Sequence, residues 1–271
     1  DGNGKLHNLK SDSSGDNNVY KKFWSTIGGM GLTGVILEAT FSLIPITSSY
    51  VEVDTKRFYN LDELMVEMIE SDKKYRYSVA WADSLHKKFR GVLTCGDHLE
   101  IEKLKNDFRD NPLAYNIEHL AEAPNLFPSG LLNRFSVRAF NEAWFRKSPK
   151  LRKGEIQNFG EFFYPLDGIK NWNRIYGSKG FIQYQFVVPE NASHLIKQTL
   201  ETFRRISVPS FLTVLKRFGS ANPSYLSFPM PGWTLAIDMP ANIDNLNKEL
   251  NKLDEIIVNA GGRIYLAKDS R

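Results

Sequence analysis

The sequence has 271 residues, 42% of them hydrophobic and 24% charged, which is typical of a globular protein and excludes disordered and collagen-like chains. Lys and Arg number 35 against 31 Asp and Glu, a net charge of +4, and the basic residues are scattered along the chain, so no nucleic-acid-binding stripe is predicted. No stretch approaches the roughly 18 apolar residues of a membrane-spanning helix.

The sequence lacks the common patterns of metal ligands. Cys95 is the single cysteine, which excludes an internal disulfide, and the five histidines never occur at the i, i+4 spacing of zinc-binding helices. We therefore expect no metal site.

Both ends have the pattern of positions inside a longer fold. Residues 1–5 have the composition of a hairpin turn without its preceding strand, and residues 267–271 directly follow an apolar strand pattern. We expect the chain to be part of a larger protein, so the lack of a signal peptide leaves its localisation open.

The first half of the chain contains predicted strands and helices. The residues from Val35 to Leu43 alternate between apolar and polar, which predicts a half-buried strand that ends at Pro45. Asn60 precedes a run with helical spacing, and Glu63 follows it three residues later, a capping pattern that predicts a helix from 60 to 69. The other predicted elements of this half are strands at 50–54, 76–82 and 89–95 and a helix near 98–108.

The middle and the end of the chain differ in pattern. Residues 110–178 are rich in Pro, Asn, Gly and aromatic residues, and we expect long ordered loops with short helices there. From residue 180 the periodicity is clear, with a glycine C-cap at Gly261. The predicted strands are 180–188, 210–218, 232–238 and 263–267, and the predicted helices are 191–205 and 244–260.

The order of these last elements is β-α-β-β-α-β, the split unit that forms an antiparallel sheet with helices on one face. The first half repeats the beginning of the same order. We therefore expect an α+β fold in which two such halves join into one wide antiparallel sheet, with helices on one face and the other face free to cover a ligand.

A glycine motif runs from Gly29 to Gly34 and matches G-x-G-x-x-G, with Asp54 a further 20 residues along. The dinucleotide-binding fingerprint needs a helix that begins at the glycines, because the helix N-terminus holds the pyrophosphate. Here a strand pattern follows instead, so the local pattern favours a glycine turn at which two segments cross closely.

Seven segments carry a resemblance to a known family. The segment from Phe23 to Ile36 resembles the glycine-rich segment of FAD-linked oxidases of the vanillyl-alcohol oxidase type. Further segments resemble the members of that family that oxidise polyprenylphosphoryl-ribose, and they span nearly the whole chain: 144–148, 164–167, 172–174, 180–189, 227–233 and 261–271.

The resemblance implies an FAD-dependent oxidoreductase and a division into domains. Residues 1–47 would be the end of an α+β FAD-binding domain, residues 48–260 the substrate-binding domain, and residues 261–271 the return to the FAD-binding domain.

The reaction that the resemblance implies oxidises the ribose 2′-hydroxyl of a polyprenylphosphoryl-ribose to the 2′-keto form. This is the first half of an epimerisation to arabinose, which is used in arabinan and cell-wall synthesis. A partner NAD-dependent reductase would complete it, and the lipid-linked substrate would place the protein at the membrane periphery. Without the preceding FAD segment, we expect this chain alone to bind FAD weakly or not at all and to be inactive.

Polar side chains interrupt two predicted strands near the end of the chain. Gln183 and Gln185 share one face of their strand, and Lys216 shares a face with Phe218. Taken together, two amides and an ammonium on apolar strands indicate a sugar site set in an apolar wall. Taken alone, each of these side chains could equally face solvent on an ordinary two-faced sheet.

The resemblance also implies roles for individual residues. The substrate pocket would be lined by Gln183, Gln185, Lys216, Phe218, Trp81, Phe163 and Thr234. Lys268 would lie beside the flavin and is the candidate catalytic residue, as a cation that favours the alkoxide as it forms. FAD would contact Gly34, Ile36 and Tyr265.

Three positions depart from the family pattern. Ala236 stands where mycobacterial members have the cysteine that covalent inhibitors attack, Thr234 stands where asparagine is common, and Phe163 replaces a tyrosine. Two other functions stay open: an aldonolactone or other sugar-alcohol oxidase, and a non-catalytic module that binds a carbohydrate or a lipid phosphate.

Overall fold

The structure is a computed structural model that describes residues 1–12, 17–115, 119, 121–124 and 132–268. Its helices are α1 (Asn17–Thr26), α2 (Leu61–Ser71), α3 (Asn106–Arg109), α4 (Arg134–Lys147), α5 (Phe159–Phe163), α6 (His194–Arg205) and α7 (Leu246–Asn259). Its strands are β1 (Tyr50–Phe58), β2 (Tyr77–Ala82), β3 (Gly91–His98), β4 (Ala121–Glu122), β5 (Leu151–Asn158), β6 (Ile169–Lys170), β7 (Phe181–Val188), β8 (Thr213–Phe218), β9 (Gly232–Pro240) and β10 (Arg263–Ile264).

Eight of the strands form one antiparallel sheet in the order β10-β7-β9-β8-β2-β3-β1-β5. The predicted α+β fold with a wide antiparallel sheet is therefore confirmed. β4 and β6 form a separate two-residue parallel pair. Among the described residues, no helix has the length and apolar character needed to cross a membrane.

The sheet consists of two halves with the same topology. The second half runs β7-α6-β8-β9-α7-β10, and the first runs β1-α2-β2-β3-α4-β5. In each half the fourth strand pairs with the first, the first with the third, and the third with the second. The halves join where their second strands, β2 and β8, pair antiparallel at Ala80↔Leu215 and Trp81↔Val214.

α2, α6 and α7 cover one face of the sheet and form the core with it. In β7, Tyr184, Phe186 and Val188 are buried against α6 and α7, which leaves the residues between them on the opposite face. α2 covers the first half in the same way and begins as predicted, because the Asn60 side chain accepts a hydrogen bond from the Glu63 backbone N–H at 2.8 Å.

The prediction of loops and short helices over 110–178 was wrong at two elements, α4 and β5. α4 is a 14-residue helix that begins with a capping box between Asn133 and Ser136. β5 pairs with β1 at the sheet edge. The sequence pattern did not predict β5, because an edge strand with no buried residue lacks the alternation of apolar and polar residues. A bulge also interrupts the register between β5 and β1.

The strand predicted over Val35 to Leu43 is absent, and the apolar side chains of this segment are exposed, for example Val35 at 84%. Alternation sets which side chains share a face, but a strand also needs a hydrogen-bonded neighbour, and this segment pairs with no described strand. The predicted strand 263–267 is likewise reduced to Arg263–Ile264, after which the chain turns.

The continuous helix predicted near 98–108 was also wrong. The structure has a 3₁₀ turn at Ile101–Lys103 and the short α3 instead. The Arg109 side chain donates to the backbone carbonyls of Leu104 at 2.8 Å and Glu102 at 2.6 Å, which a continuous helix would satisfy with its own N–H groups.

The glycine motif lies in turns after α1, a helix that the sequence analysis did not predict. No described helix begins at Gly29 to Gly34, and Met30 and Gly31 both have positive φ. This geometry favours the glycine turn over the dinucleotide fingerprint.

Candidate functional site

A hollow of about 190 Å³ lies on the sheet face opposite the helices, over β7, β8 and β9. Pockets for drug-sized ligands hold roughly 300–1,000 Å³, so this volume suits a group the size of one sugar ring. Its walls are formed by Gln183, Gln185, Val214, Lys216, Thr234, Ala236 and Lys268.

The strand register explains why these side chains meet. Ala236 of β9 lies opposite Gln185 of β7 and opposite Val214 of β8, and Thr234 lies opposite Lys216. Because side chains alternate between the faces of a sheet, residues at these positions share the face that the helices leave open.

Each glutamine amide has a defined partner in β9. Gln185 Nε2 donates to Thr234 Oγ1 at 3.2 Å, and Gln183 Nε2 donates to Asp238 Oδ1 at 2.5 Å. Asp238 is fully buried and was missed by the sequence analysis. In the sequence Asp238 lies two residues beyond Ala236, on the same face of its strand, but only its burial distinguishes it from a solvent-facing carboxylate.

Two lysines give the hollow a positive charge. Lys216 and Lys268 both keep solvent contact along its open side. Burial among the surrounding protein atoms, and secondarily the positive charge of Lys268, lower the pKa of Lys216. Two solvent-exposed ammonium groups beside one hollow attract an anionic group or a developing negative charge.

An aromatic cluster adjoins the lysine side of the hollow. Lys268 Nζ lies 5.5 Å from the ring centroid of Tyr265, whose ring stacks on Phe228 at 4.6 Å. Phe228 in turn contacts the edge of Phe218 at 5.6 Å. The Tyr265 backbone N–H donates to the Gln185 carbonyl at 2.9 Å, which fixes this cluster beside β7.

The structure thus brings together five of the predicted site residues, Gln183, Gln185, Lys216, Thr234 and Lys268. Three others flank the hollow: Phe218, Tyr265 and Trp81, the last paired in register with Val214.

The remaining predicted residues do not line the hollow. Phe163 of α5 packs on Tyr77 at 4.9 Å, over the first half of the sheet. Gly34 has φ 142° and lies nearest to Asp1, and Ile36 is 59% exposed. The segment before the glycine motif contacts the loop that carries Phe228, because the Ser224 hydroxyl donates to the Ile27 carbonyl and a Cβ at Gly28 would come within 3.2 Å of Ser227.

Comparison with known proteins gives relatives over most of the chain. No protein-family model matches. The chain is 39% identical over 253 residues to the decaprenylphosphoryl-beta-D-ribose oxidase of Mycolicibacterium smegmatis, a match that covers 92% of this chain and 55% of that protein. It is 32% identical over 262 residues to an uncharacterized protein of the mprA 5′ region of Streptomyces coelicolor, covering 92% of this chain and 70% of that protein. The chain therefore belongs to the protein family that contains these two relatives, although it spans only about half the length of the first.

Proposed function

We propose that this chain supplies the substrate-binding part of an FAD-dependent oxidase. The substrate would be a polyprenylphosphoryl-ribose, whose 2′-hydroxyl is oxidised to the 2′-keto form as the first half of an epimerisation to arabinose. The observation that carries the proposal is the convergence of two amides, a threonine and two ammonium groups on one hollow of sugar size. The relationship to a decaprenylphosphoryl-beta-D-ribose oxidase supports the choice of substrate.

The residues at the open side of the hollow fit a flavin. Lys268 provides a cation for the negative charge that a reduced isoalloxazine carries, and Tyr265 provides an aromatic surface 5.5 Å from that cation. We assign FAD contacts to these two residues and to Gly34 and Ile36. When bound, FAD supplies the acceptor for the two electrons taken from the sugar.

The division of the chain follows from this assignment. We propose that residues 1–47 complete an FAD-binding domain, that residues 48–260 form the substrate-binding domain, and that residues 261–271 return to the FAD-binding domain. The eight-stranded sheet, apart from β10, lies within the central range.

The side chains of the hollow would bind and orient the sugar. The amides of Gln183 and Gln185 and the hydroxyl of Thr234 match the hydroxyl groups of a ribose, and Trp81 and Phe218 would bound the site with aromatic surface. A site built to hydrogen-bond a substrate hydroxyl discriminates strongly against a ligand that lacks it.

The two lysines would have different roles when the 2′-hydroxyl loses its proton. The pKa of Lys216 is lowered by burial and by Lys268, and a lysine with a lowered pKa is a better proton acceptor at neutral pH. We therefore assign to Lys216 the acceptance of the 2′-hydroxyl proton, and to Lys268 the electrostatic stabilisation of the alkoxide as it forms.

The test uses the longest natural protein that contains this chain, loaded with FAD and mixed without oxygen with polyprenylphosphoryl-ribose. We expect this substrate to abolish the visible absorbance of the flavin. Aldonolactones and free sugar alcohols should leave the absorbance unchanged. Reduction by aldonolactones alone would establish the sugar-alcohol oxidase alternative. Binding of the lipid-linked sugar without flavin reduction would establish a non-catalytic module.

Two further parts of the proposal concern partners and place. The 2′-keto product must be consumed by a reductase, and we propose an NAD-dependent one as the partner that completes the epimerisation. Because the substrate carries a polyprenyl chain, we also propose that the protein works at the periphery of a membrane.

A further inference from the structure

Five aromatic side chains form a continuous row beside the hollow, which we call the aromatic row. Phe181 stacks on Tyr176 with ring centroids 4.2 Å apart, and Tyr176 stacks on Phe211 at 5.6 Å. Phe211 contacts the edge of Phe140 at 5.8 Å, and Phe140 stacks on Trp144 at 6.4 Å. Each ring is therefore within contact range of the next.

The inner end of the aromatic row adjoins the hollow. Phe181 is two residues before Gln183 on β7, so both lie on the open face. Tyr176 is 7% exposed, and burial together with the negative charge of Asp238 raises the pKa of its phenol. Because Asp238 holds Gln183 of the hollow wall, the row and the hollow share one buried carboxylate at their boundary.

The outer end of the aromatic row is open to solvent. Phe140 is 48% exposed and Trp144 is 43% exposed, although both lie on the side of α4 that turns toward Phe211. α4 is held in place by Asn141, whose Nδ2 donates to Asp83 Oδ1 at 2.9 Å and to the Ser210 carbonyl at 3.4 Å. The exposed rings are thus fixed in position rather than free to fold back into the core.

We propose that the aromatic row binds the polyprenyl chain of the substrate, an inference that rests on the proposed function. A sugar in the hollow carries its lipid on the phosphate, and an isoprenoid chain leaving the hollow needs apolar surface to displace water. Four rings of the aromatic row keep exposed area for such a contact, which rises outward to 48% for Phe140 and 43% for Trp144. Tyr176, 7% exposed, packs against Phe181 and Phe211 and supports them. Its occupant is one acyclic isoprenoid chain.

The test compares two substrates of the FAD-loaded protein, a long-chain polyprenylphosphoryl-ribose and a soluble farnesylphosphoryl-ribose, both in detergent solution. In the double variant Phe140→Ser/Trp144→Ser, we expect KM for the long-chain substrate to rise about tenfold with kcat unchanged, because two apolar contacts are lost. The kinetic constants of the farnesyl substrate should not change. Phe140→Leu/Trp144→Leu, which keeps the surface apolar, should restore the long-chain KM.

Phe135→Ser is the matched control, because Phe135 lies on the same helix, is 85% exposed and is outside the aromatic row. Equal losses for both substrates, an unchanged long-chain KM, or the same loss in Phe135→Ser would overturn the proposal. A defect that appears only when the substrate is presented in vesicles would do so too, because it would make this surface a membrane-docking site.

A binding measurement separates this inference from the proposed function. A polyprenyl phosphate with a nitroxide label at the far end of its chain has no ribose to be oxidised, and we expect it to quench the tryptophan fluorescence of the protein. The part of the quenching that comes from Trp144 should be lost in Trp144→Phe, while Trp81 and Trp172, which lie nearer the hollow, keep theirs. Quenching in a protein that oxidises neither substrate would leave the lipid site standing while the oxidase proposal fails. Quenching that persists unchanged in Trp144→Phe would refute the lipid site itself.

Discussion

Gln183 Nε2 lies 2.5 Å from Asp238 Oδ1, across the paired strands β7 and β9. An ionised carboxylate only accepts hydrogen bonds, so this contact fixes which way round the amide stands: its nitrogen faces Asp238 and its oxygen faces away. An amide of defined orientation at the wall of the hollow suits the recognition of a sugar hydroxyl.

Asp238→Asn should remove this orientation while keeping the shape of the side chain. An asparagine can donate or accept, so the Gln183 amide can stand either way round, and we expect kcat/KM for the ribose substrate to fall about tenfold, a loss typical of one misplaced hydrogen bond. Asp254→Asn is the matched control, because Asp254 accepts from the Tyr184 hydroxyl at 2.8 Å on the helix-covered face. Equal losses in the two variants would show that Asp238 acts on stability alone.

Lys268→Gln should raise the pKa of Lys216. The pKa of Lys216 is lowered first by burial and second by the positive charge of Lys268, so removing that charge removes one of the two causes. Lys216 can accept a proton only while it is neutral, and the pH above which flavin reduction rises should therefore move upward in the variant. NMR titration of the Lys216 side chain measures the pKa directly, and a pKa that stays constant or falls would contradict the assignment.

Ala236→Cys should create a site for thiol-directed reagents. Ala236 lines the hollow, whereas the natural Cys95 is 3% exposed and burial raises the pKa of its thiol to about 11. We expect mass spectrometry to find no adduct in the unaltered protein and one adduct per chain in the variant. Ala236→Ser controls for the change in size, and rapid labelling of the unaltered protein would refute the prediction.

Asp83→Ala should destabilise the fold strongly. Asp83 is 2% exposed and accepts from Arg90 at 3.0 Å and from Asn141 at 2.9 Å. Removing it leaves a buried guanidinium and a buried amide short of a partner, and we expect a loss of about 3 kcal/mol in the free energy of unfolding.

Lys197→Ala is the control for that measurement, because the ion pair of Lys197 with Asp62 is exposed and should change the free energy of unfolding by less than about 0.5 kcal/mol. Chemical denaturation of both variants makes the comparison, and similar losses would show that the Asp83 network contributes no more than a surface ion pair.

The second half of the fold could be predicted from the sequence because its signals are local. The apolar periodicities of β7, α6, β9 and α7 follow from burial of one face of each element. β5 and α1 could not be predicted in this way, because β5 is an edge strand without a buried residue and α1 buries none of its own side chains.

The candidate site was predictable in part for a similar reason. Alternation places Gln183 and Gln185 on one face, but their convergence with Lys268 depends on strand register and on the turn after β10, which no local pattern encodes. Asp238 was missed because a single acidic residue in a strand is indistinguishable from a solvent-facing one until its burial is known.

The two halves of the sheet differ on the face opposite α2, α6 and α7. In the first half, α5 packs over Tyr77 and lies so close that a Cβ at Gly96 would come within 3.1 Å of the Phe162 ring. The corresponding face of the second half holds the hollow. The two halves therefore share a topology but differ in use: α5 covers this face of the first half, which also forms the joint through β2, while the same face of the second half stays open for a ligand. Substitutions that change ligand specificity should therefore be tolerated best in the second half, at positions such as Thr234 and Ala236, with little effect on folding.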